Sequence, residues 1–354
     1  MKVLEICTVN FKLTGIPIHI RNYYNELKKR NQIDIVARNF DRKILCTMPL
    51  ENKTKLYDLP RKKNLVKYFF SLKKIVKAGN YDVIHIHGNS ATMALEILAC
   101  SGSKAKIITH THNTEYQAKL LSKVLSHYLN FHTDARFASS EEAGKKLYGS
   151  NDFQIIKNGI DVDSVKYNKR VRNRLRNKYN IEKNTFVIGH IGLFWKQKNQ
   201  EFLLKVAKLL VEKDIPFKMV LIGDGEDKQT IEQQIKSSNL EKYFLLLPST
   251  DKINEYYSMF DLFVLPSRWE GLGMVAIEAQ YAGLPCLLSE FVPKAAKISD
   301  SVTFLPLDAN KWSDEIVTKS YTSNDRNDLC IYESYDIKLC AKEIEKQYYQ
   351  ILGR

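Results

Sequence analysis

Cysteine is sparse in this chain and unpaired by pattern: Cys7, Cys46, Cys100, Cys286, Cys330 and Cys340 are scattered over 354 residues with no C-x-x-C spacing. That spread excludes a disulfide framework and a cysteine zinc site, and apolar neighbours make most of the six small core fillers. No run approaches eighteen apolar residues, and the opening MKVLEICTVNF interrupts its short apolar stretch at Glu5. Neither a spanning helix nor a signal peptide is therefore expected, which points to a cytoplasmic protein. Low-complexity tracts and short-period repeats are absent, as are a G-x-S-x-G elbow, a P-loop and a hydrolase order of Ser, His and Asp. Acidic residues are in deficit, with 40 Asp and Glu against 54 Lys and Arg, a formal charge of +14. At 44% apolar and 27% charged residues the chain is a folded globular protein, long enough for two domains with separate cores.

Part of the excess charge is concentrated. Arg61, Lys62, Lys63, Lys67, Lys73, Lys74 and Lys77 share one acid-free segment with Leu65, Val66, Phe69, Phe70, Leu72, Ile75 and Val76. At helical spacing these sets predict a basic amphipathic helix. It either packs its apolar face on its own domain or meets anionic lipid headgroups.

Strand-like apolar runs alternate with helical segments along the whole chain. The first half has them at 3–9, 33–37, 83–86, 106–111, 136–139 and 153–156; the second at 186–191, 217–222, 244–247, 262–265, 286–289 and 302–305. Strand, helix, strand in repeated order predicts parallel sheets covered on both faces, and two sets predict two doubly wound α/β domains. The polar, basic stretch 165–185 marks the boundary, with the second domain's first helix inside it and its first strand at Phe186. A terminal helix at about 337–351 is amphipathic through Leu339, Ile344, Tyr348 and Ile351. The expected division is 1–165 plus 337–354, and 166–336.

Ligands of open parallel sheets bind beyond the carboxyl ends of the strands, and the unusual residues collect there. Thr14-Gly15, His87-Gly88, His112-Asn113, Gly192, Gly223-Asp224-Gly225 and Glu270 each follow a predicted strand. In PSRWEGLGMVAIEAQYAGLP (266–285), Glu270 and Glu278 straddle a glycine-flanked turn into a helix starting near Met274. One carboxylate on the loop, one on the helix and the helix's first N–H groups can accept hydroxyls and hold an anion. In THTHNT (109–114), His110 and His112 share one face of a strand end. They could hold a metal as a pair, but no third ligand is evident, and His110 reads as a core histidine bonded to backbone.

The 266–285 string, HIGLFWKQKNQEFLL (190–204), GDGEDKQTIEQQI (223–235), EEAGKKLYG (141–149) and KNGIDVDSVKYN (157–168) resemble retaining glycosyltransferases of family 4, specifically the bacterial capsule and exopolysaccharide enzymes. The resemblance runs over nearly the whole chain. It implies a GT-B fold, two Rossmann-like domains facing across a cleft, with the last helix crossing back to the first. It implies a nucleotide diphosphate sugar as co-substrate, a UDP-sugar first among them, and a lipid-linked saccharide as acceptor at the anionic inner membrane surface. No cofactor, metal or nucleic acid is implied; Asp161-Val-Asp163 spells D-x-D but follows Asn158-Gly159 as a turn.

Residue by residue, Glu278 matches the carboxylate on the ribose and Glu270 the one on the donor sugar. The N–H groups of Gly271, Leu272, Gly273 and Met274 would approach sugar and phosphate, with Gly192, Gly223 and Gly225 shaping the diphosphate loops. Lys198 matches a diphosphate lysine, and His112 a histidine near the reacting carbon. Gly15 and His87 fall on the acceptor side. The leaving phosphate would itself take the acceptor's proton, so no protein nucleophile is needed. Two positions depart from the pattern: Leu193 stands where an arginine is expected, with Lys196 a substitute, and Thr14-Gly15 stands where a glycine pair is common. Those departures keep open one rival, an impaired GT-B partner subunit; a second, a sugar-nucleotide epimerase on the same fold, has the Glu270–Glu278 turn and the absence of its acid–base set against it.

Overall fold

The computed structural model describes residues 1–61, 64–112, 119–321, 326, 331 and 334–354; Lys62, Lys63, Asn113 and Cys330 lie outside them. The chain forms two compact units, Met1–Asp161 with Tyr335–Arg354, and Val162–Ser334. The boundaries fall four and two residues before the expected ones, because the short helix Val162–Val165 packs on helices of the second unit.

In the first unit the strands are β1 (Lys2–Asn10), β2 (Gln32–Arg38), β3 (Leu56–Asp58), β4 (Val83–Gly88), β5 (Lys106–Thr111), β6 (Ala135–Ala138) and β7 (Gln154–Ile155). They form one parallel sheet in the order β3-β2-β1-β4-β5-β6-β7. Side chains alternate along β1 as a two-residue period requires. Val3 and Cys7 enter a core shared with Ile337, Ile344 and Tyr348 of the terminal helix. Leu4 and Ile6 enter the opposite core with Leu72 and Val76. The short strand β3 was not anticipated; three residues at a sheet edge carry too little periodicity to read.

The second unit contains β8 (Phe186–Ile191), β9 (Phe217–Ile222), β10 (Phe244–Leu247), β11 (Leu262–Leu265), β12 (Cys286–Ser289) and β13 (Val302–Leu305). They form a second parallel sheet, ordered β10-β9-β8-β11-β12-β13. Part of the basic stretch 165–185 is structural here: Arg172 and Arg176 each reach one oxygen of Asp261 at 2.5 Å, and Val187 N donates to Asp261 Oδ2 at 2.8 Å. This pins the helix Lys169–Lys178 to the entry of β8.

The basic segment forms the helix Leu65–Gly79 with Tyr68, Leu72 and Val76 buried. The expected apolar face is therefore divided. Leu72 and Val76 belong to the core, whereas Leu65, Val66 and Phe70 are exposed beside exposed Lys67, Lys73, Lys74 and Lys77. Arg61 does not join them, because its guanidinium pairs with buried Glu96 at 3.0 Å. On the terminal helix, Ile337–Ile351, Leu339 is exposed and the packed face runs through Ile337, Ala341, Ile344 and Tyr348. No helix among the described residues is long and apolar enough to cross a membrane. The five described cysteines are free, and Cys46 is exposed, not a core filler.

Candidate active site

Both sheets reverse their strand order once, and the sequence-predicted residues collect at those two points. In the second unit the reversal lies between β8 and β11, where an open α/β sheet forms its ligand crevice. Lys198 follows β8 and Glu270 follows β11. Lys198 Nζ reaches Glu270 Oε1 at 2.5 Å, and the Ser267 hydroxyl donates to the same oxygen at 2.6 Å. Glu270 is held by a cation and a hydroxyl in a largely buried position, its side chain 7% exposed against 17% for Lys198.

The glycines make room for this pair. A β-carbon on Gly192 would press on the Lys198 stem at 3.2 Å, and one on Gly223 would stand 2.0 Å from the Gly192 carbonyl oxygen. On Gly225 it would strike the Phe194 carbonyl at 2.3 Å. The loops after β8 and β9 thus interlock at backbone distance, sealed by Phe194 N donating to Asp224 O at 3.0 Å. Gly271 has open space about its Cα, and left-handed Gly273 (φ 82°) starts the helix Met274–Tyr281 next to half-buried Leu272.

Glu278 sits in that helix with its Oε2 accepting from the Tyr257 hydroxyl at 2.6 Å. Burial first, and the carboxylate second, push the Tyr257 phenol well above its ordinary range, so it stays a donor. Leu193 is 48% exposed. Lys196 is exposed and lines a surface hollow with Trp195, Asp227 and Arg268, a hollow whose lining includes neither Lys198 nor Glu270.

In the first unit the reversal lies between β1 and β4, and histidines crowd it. Strand register sets Glu5 beside His85 and His87 beside His110. His19 joins from the helix Gly15–Leu27, five residues into it, and Gly15 opens that helix with free space about its Cα. His87 Nε2 meets Glu5 Oε2 at 2.6 Å and its Nδ1 meets His112 Nε2 at 3.0 Å. The His87 ring is buried with both nitrogens engaged, so it acts through His112. Tyr348 of the terminal helix places its hydroxyl 2.7 Å from His85 Nδ1.

His110 corrects one expectation: it is fully buried, yet neither ring nitrogen has a hydrogen-bond partner among the described residues. Burial lowers His19 to about 3 and holds His85, His110 and His112 well below the ordinary imidazole value, with neighbouring histidines adding to the effect. These rings are neutral near pH 7. Asp163 of the D-x-D string pairs with Lys166 at 2.7 Å, and among the described residues the histidines, not these aspartates, form clusters of metal-ligand type.

Sequence reasoning missed Ser267, Tyr257, Glu5 and His19. For Glu5 and His19 a signal existed, since each is a polar residue set inside an apolar run, LEIC and GIPIHI. Ser267 and Tyr257 carried no such mark.

Two family models cover this chain, "Glycosyltransferase Family 4" over residues 13–164 and "Glycosyl transferases group 1" over residues 171–303. The chain belongs to the family 4 glycosyltransferases. It is 28% identical over 293 residues to the putative glycosyltransferase EpsF of Bacillus subtilis (strain 168), covering 78% of this chain and 76% of that one. It is 31% identical over 241 residues to UDP-Gal:alpha-D-GlcNAc-diphosphoundecaprenol alpha-1,3-galactosyltransferase of Escherichia coli, spanning 63% of this chain and 62% of that one. Among solved structures, HepE of Anabaena in complex with UDP-glucose superposes with a TM-score of 0.73 at 19% identity, over all of this chain and 96% of the other. The family 4 chain is thus a glycosyltransferase of the exopolysaccharide type with the GT-B fold.

Proposed function

We propose that this enzyme transfers a sugar, with retained anomeric configuration, from a UDP-sugar to a lipid-linked saccharide during capsule or exopolysaccharide synthesis. The single observation that carries the reading is the Lys198–Glu270–Ser267 contact at the sheet reversal of the second unit. Before donor binds, Glu270 neutralises Lys198. Hydroxyls of the donor sugar donate to Glu270 in place of the lysine, and Lys198 turns its charge to the diphosphate as that group departs. Glu270 therefore orients the sugar and does not attack it. Glu278, braced by Tyr257, takes the ribose hydroxyls, and the N–H groups of Gly271 to Met274 approach sugar and phosphate. Gly192, Gly223 and Gly225 let the diphosphate loops close on each other. His112 keeps the sugar contact that the resemblance implies, oriented by His87, and Gly15 the acceptor side. The departing phosphate takes the acceptor's proton on the face it leaves, so the step needs no metal and no protein nucleophile.

The Escherichia coli relative, whose name specifies a diphosphoundecaprenol acceptor, supports a lipid-linked acceptor here. So does the helix Leu65–Gly79, which exposes Leu65, Val66 and Phe70 among lysines. We assign it to peripheral contact with the anionic inner face of the membrane.

The test is release of UDP from a panel of UDP-sugars, with and without a diphosphate-linked lipid saccharide, and the anomeric configuration of the product by NMR. Acceptor-dependent UDP release with retention is expected. Donor epimerisation without acceptor would instead identify an epimerase, and absence of turnover with all nucleotide sugars would identify an impaired partner subunit.

A further inference from the structure

The transfer reading leaves the first unit's histidine cluster only partly used, and that cluster has the composition and geometry of a metal centre. His19, His87, His110 and His112 each offer one ring nitrogen, and these four atoms lie within 4.8 Å of one another. A tetrahedral zinc site with Zn–N bonds of about 2.0–2.1 Å has its nitrogens about 3.4 Å apart. The 3.0 Å His87–His112 contact is slightly tighter than that. Separations of up to 4.8 Å within the set have to close toward that value by rotation of the imidazole rings.

The surroundings already point lone pairs inward. His19 Nδ1 faces the Asn158 carboxamide oxygen at 2.9 Å, so Nδ1 carries the proton and Nε2 is left as a bare acceptor, buried and without a partner. His87 donates Nε2–H to Glu5, which makes its Nδ1 an acceptor, filled by His112 Nε2–H at 3.0 Å until that proton moves. Ligand histidines are commonly fixed in this way by a carboxylate or a carbonyl oxygen behind the ring. Both nitrogens of fully buried His110 lack a hydrogen-bond partner among the described residues, so their desolvation is uncompensated. A cation among these rings satisfies His19 Nε2 and one of the two His110 nitrogens, and the Glu5 carboxylate offsets part of its charge.

We propose that His19, His87, His110 and His112 bind one divalent transition metal ion, zinc by preference, with Glu5 and Asn158 as the outer partners that orient two of the ligands. Four imidazole ligands suit zinc, cobalt and nickel and disfavour magnesium and calcium, which take oxygen ligands. On binding, the proton of His112 Nε2 moves to its Nδ1, and no redox step is involved. Two of the ligands, His87 and His112, also serve the transfer reading, but metal uptake is measured without turnover, so either reading can fail alone.

The experiment uses the full chain without a polyhistidine tag, stripped with a chelator and titrated with Zn2+ against a chromophoric competitor. Co2+ serves as a second probe, since its visible absorption reports tetrahedral nitrogen coordination. Wild type should take up one Zn2+ per chain, tightly enough to compete with the chelating dye. His110→Ala and His19→Ala should weaken binding at least 100-fold, and Glu5→Gln roughly 10- to 100-fold. His132→Ala, at an exposed histidine, should change nothing. Should a core variant fail to fold by circular dichroism, half-buried His112→Asn gives the same test at the rim of the cluster. Absence of uptake by the wild type overturns the proposal. So does uptake that survives folded His110→Ala or His112→Asn, or that disappears with His132→Ala.

Discussion

Lys198→Met removes the cation from Glu270 while keeping the stem that fills the space beside Gly192. The Glu270 side chain is only 7% exposed, so water cannot replace the ammonium fully. Removing one partner of a buried ion pair costs about 3–5 kcal/mol, and the Ser267 hydroxyl still donates to the same oxygen, which favours the lower figure. For a unit of this size each kcal/mol moves the melting temperature by about 2–4 °C, so a fall of about 6–12 °C is expected. Glu270→Gln in the same chain removes the stranded charge and should restore most of that loss. Turnover should behave differently. Lys198→Met should lower it on the order of a hundredfold, as expected for one lost stabiliser of a departing anion, and Glu270→Gln should not bring it back. Calorimetric melting of the four chains of this double-mutant cycle, with initial rates alongside, separates the two effects. A Lys198→Met chain that melts within about 2 °C of the wild type would refute the reasoning, since the pair would then be solvent-screened and could not hold Glu270 in place.

Glu278→Ala should weaken UDP binding roughly 10- to 100-fold, the loss of charge-assisted bonds worth about 1.5–3 kcal/mol, and Tyr257→Phe should raise the donor KM with little change in kcat; unchanged UDP affinity by calorimetry in Glu278→Ala would remove that residue from the site. Acid should open the first unit before the second. His19, His85, His110 and His112 are held neutral by burial in the first unit, whereas His190, lowered to about 4, is their counterpart in the second. The unfolded chain takes up these protons below about pH 6.5 and the native chain does not, so stability is complete above that pH and falls as pH drops. With four such histidines against one, the first unit should lose more stability at acid pH than the second, which hydrogen exchange in chelated buffer can read; equal loss of protection in β4 and β9 would contradict it. Four exposed lysines on Leu65–Gly79, at about 1 kcal/mol each near an anionic surface, should give salt-reversible sedimentation with anionic vesicles. Val66→Asp with Phe70→Asp should abolish that sedimentation, and a wild type that ignores such vesicles at low salt would reduce the helix to a solvated face.

The two sheets were legible because a buried parallel strand is a continuous apolar run, and twelve of the thirteen strands among the described residues coincide with such runs. Glu270 was legible as a residue that follows a strand end and Lys198 through the resemblance, although neither periodicity nor spacing said that they touch across 72 positions. Tyr257 was hidden because an aromatic in a buried segment reads as core whether or not its hydroxyl braces a carboxylate. The amphipathic helix was misread in part for a related reason. Its moment is a vector over all apolar positions, and only the packed sheet decides that Leu72 and Val76 go inward while Val66 and Phe70 face out.

The histidine cluster marks the limit of reading along a chain. Two of its members, His110 and His112, lie on one strand end and were seen as a pair lacking a third ligand. The others arrive from β1, β4 and the helix after β1, and Tyr348 approaches Glu5 from 343 positions away. What joins them is strand register: crossover connections bring β1 and β4 side by side, so Glu5 is paired with His85, and His87 with His110. Register is a property of the assembled sheet, decided by how helices on both faces pack, and no local pattern encodes it. Each histidine alone is an ordinary polar residue at the end of an apolar run. Together they form a concentration of neutral, partly unpartnered imidazoles whose burial is costly, and that cost is why the cluster calls for a ligand when any single member would not.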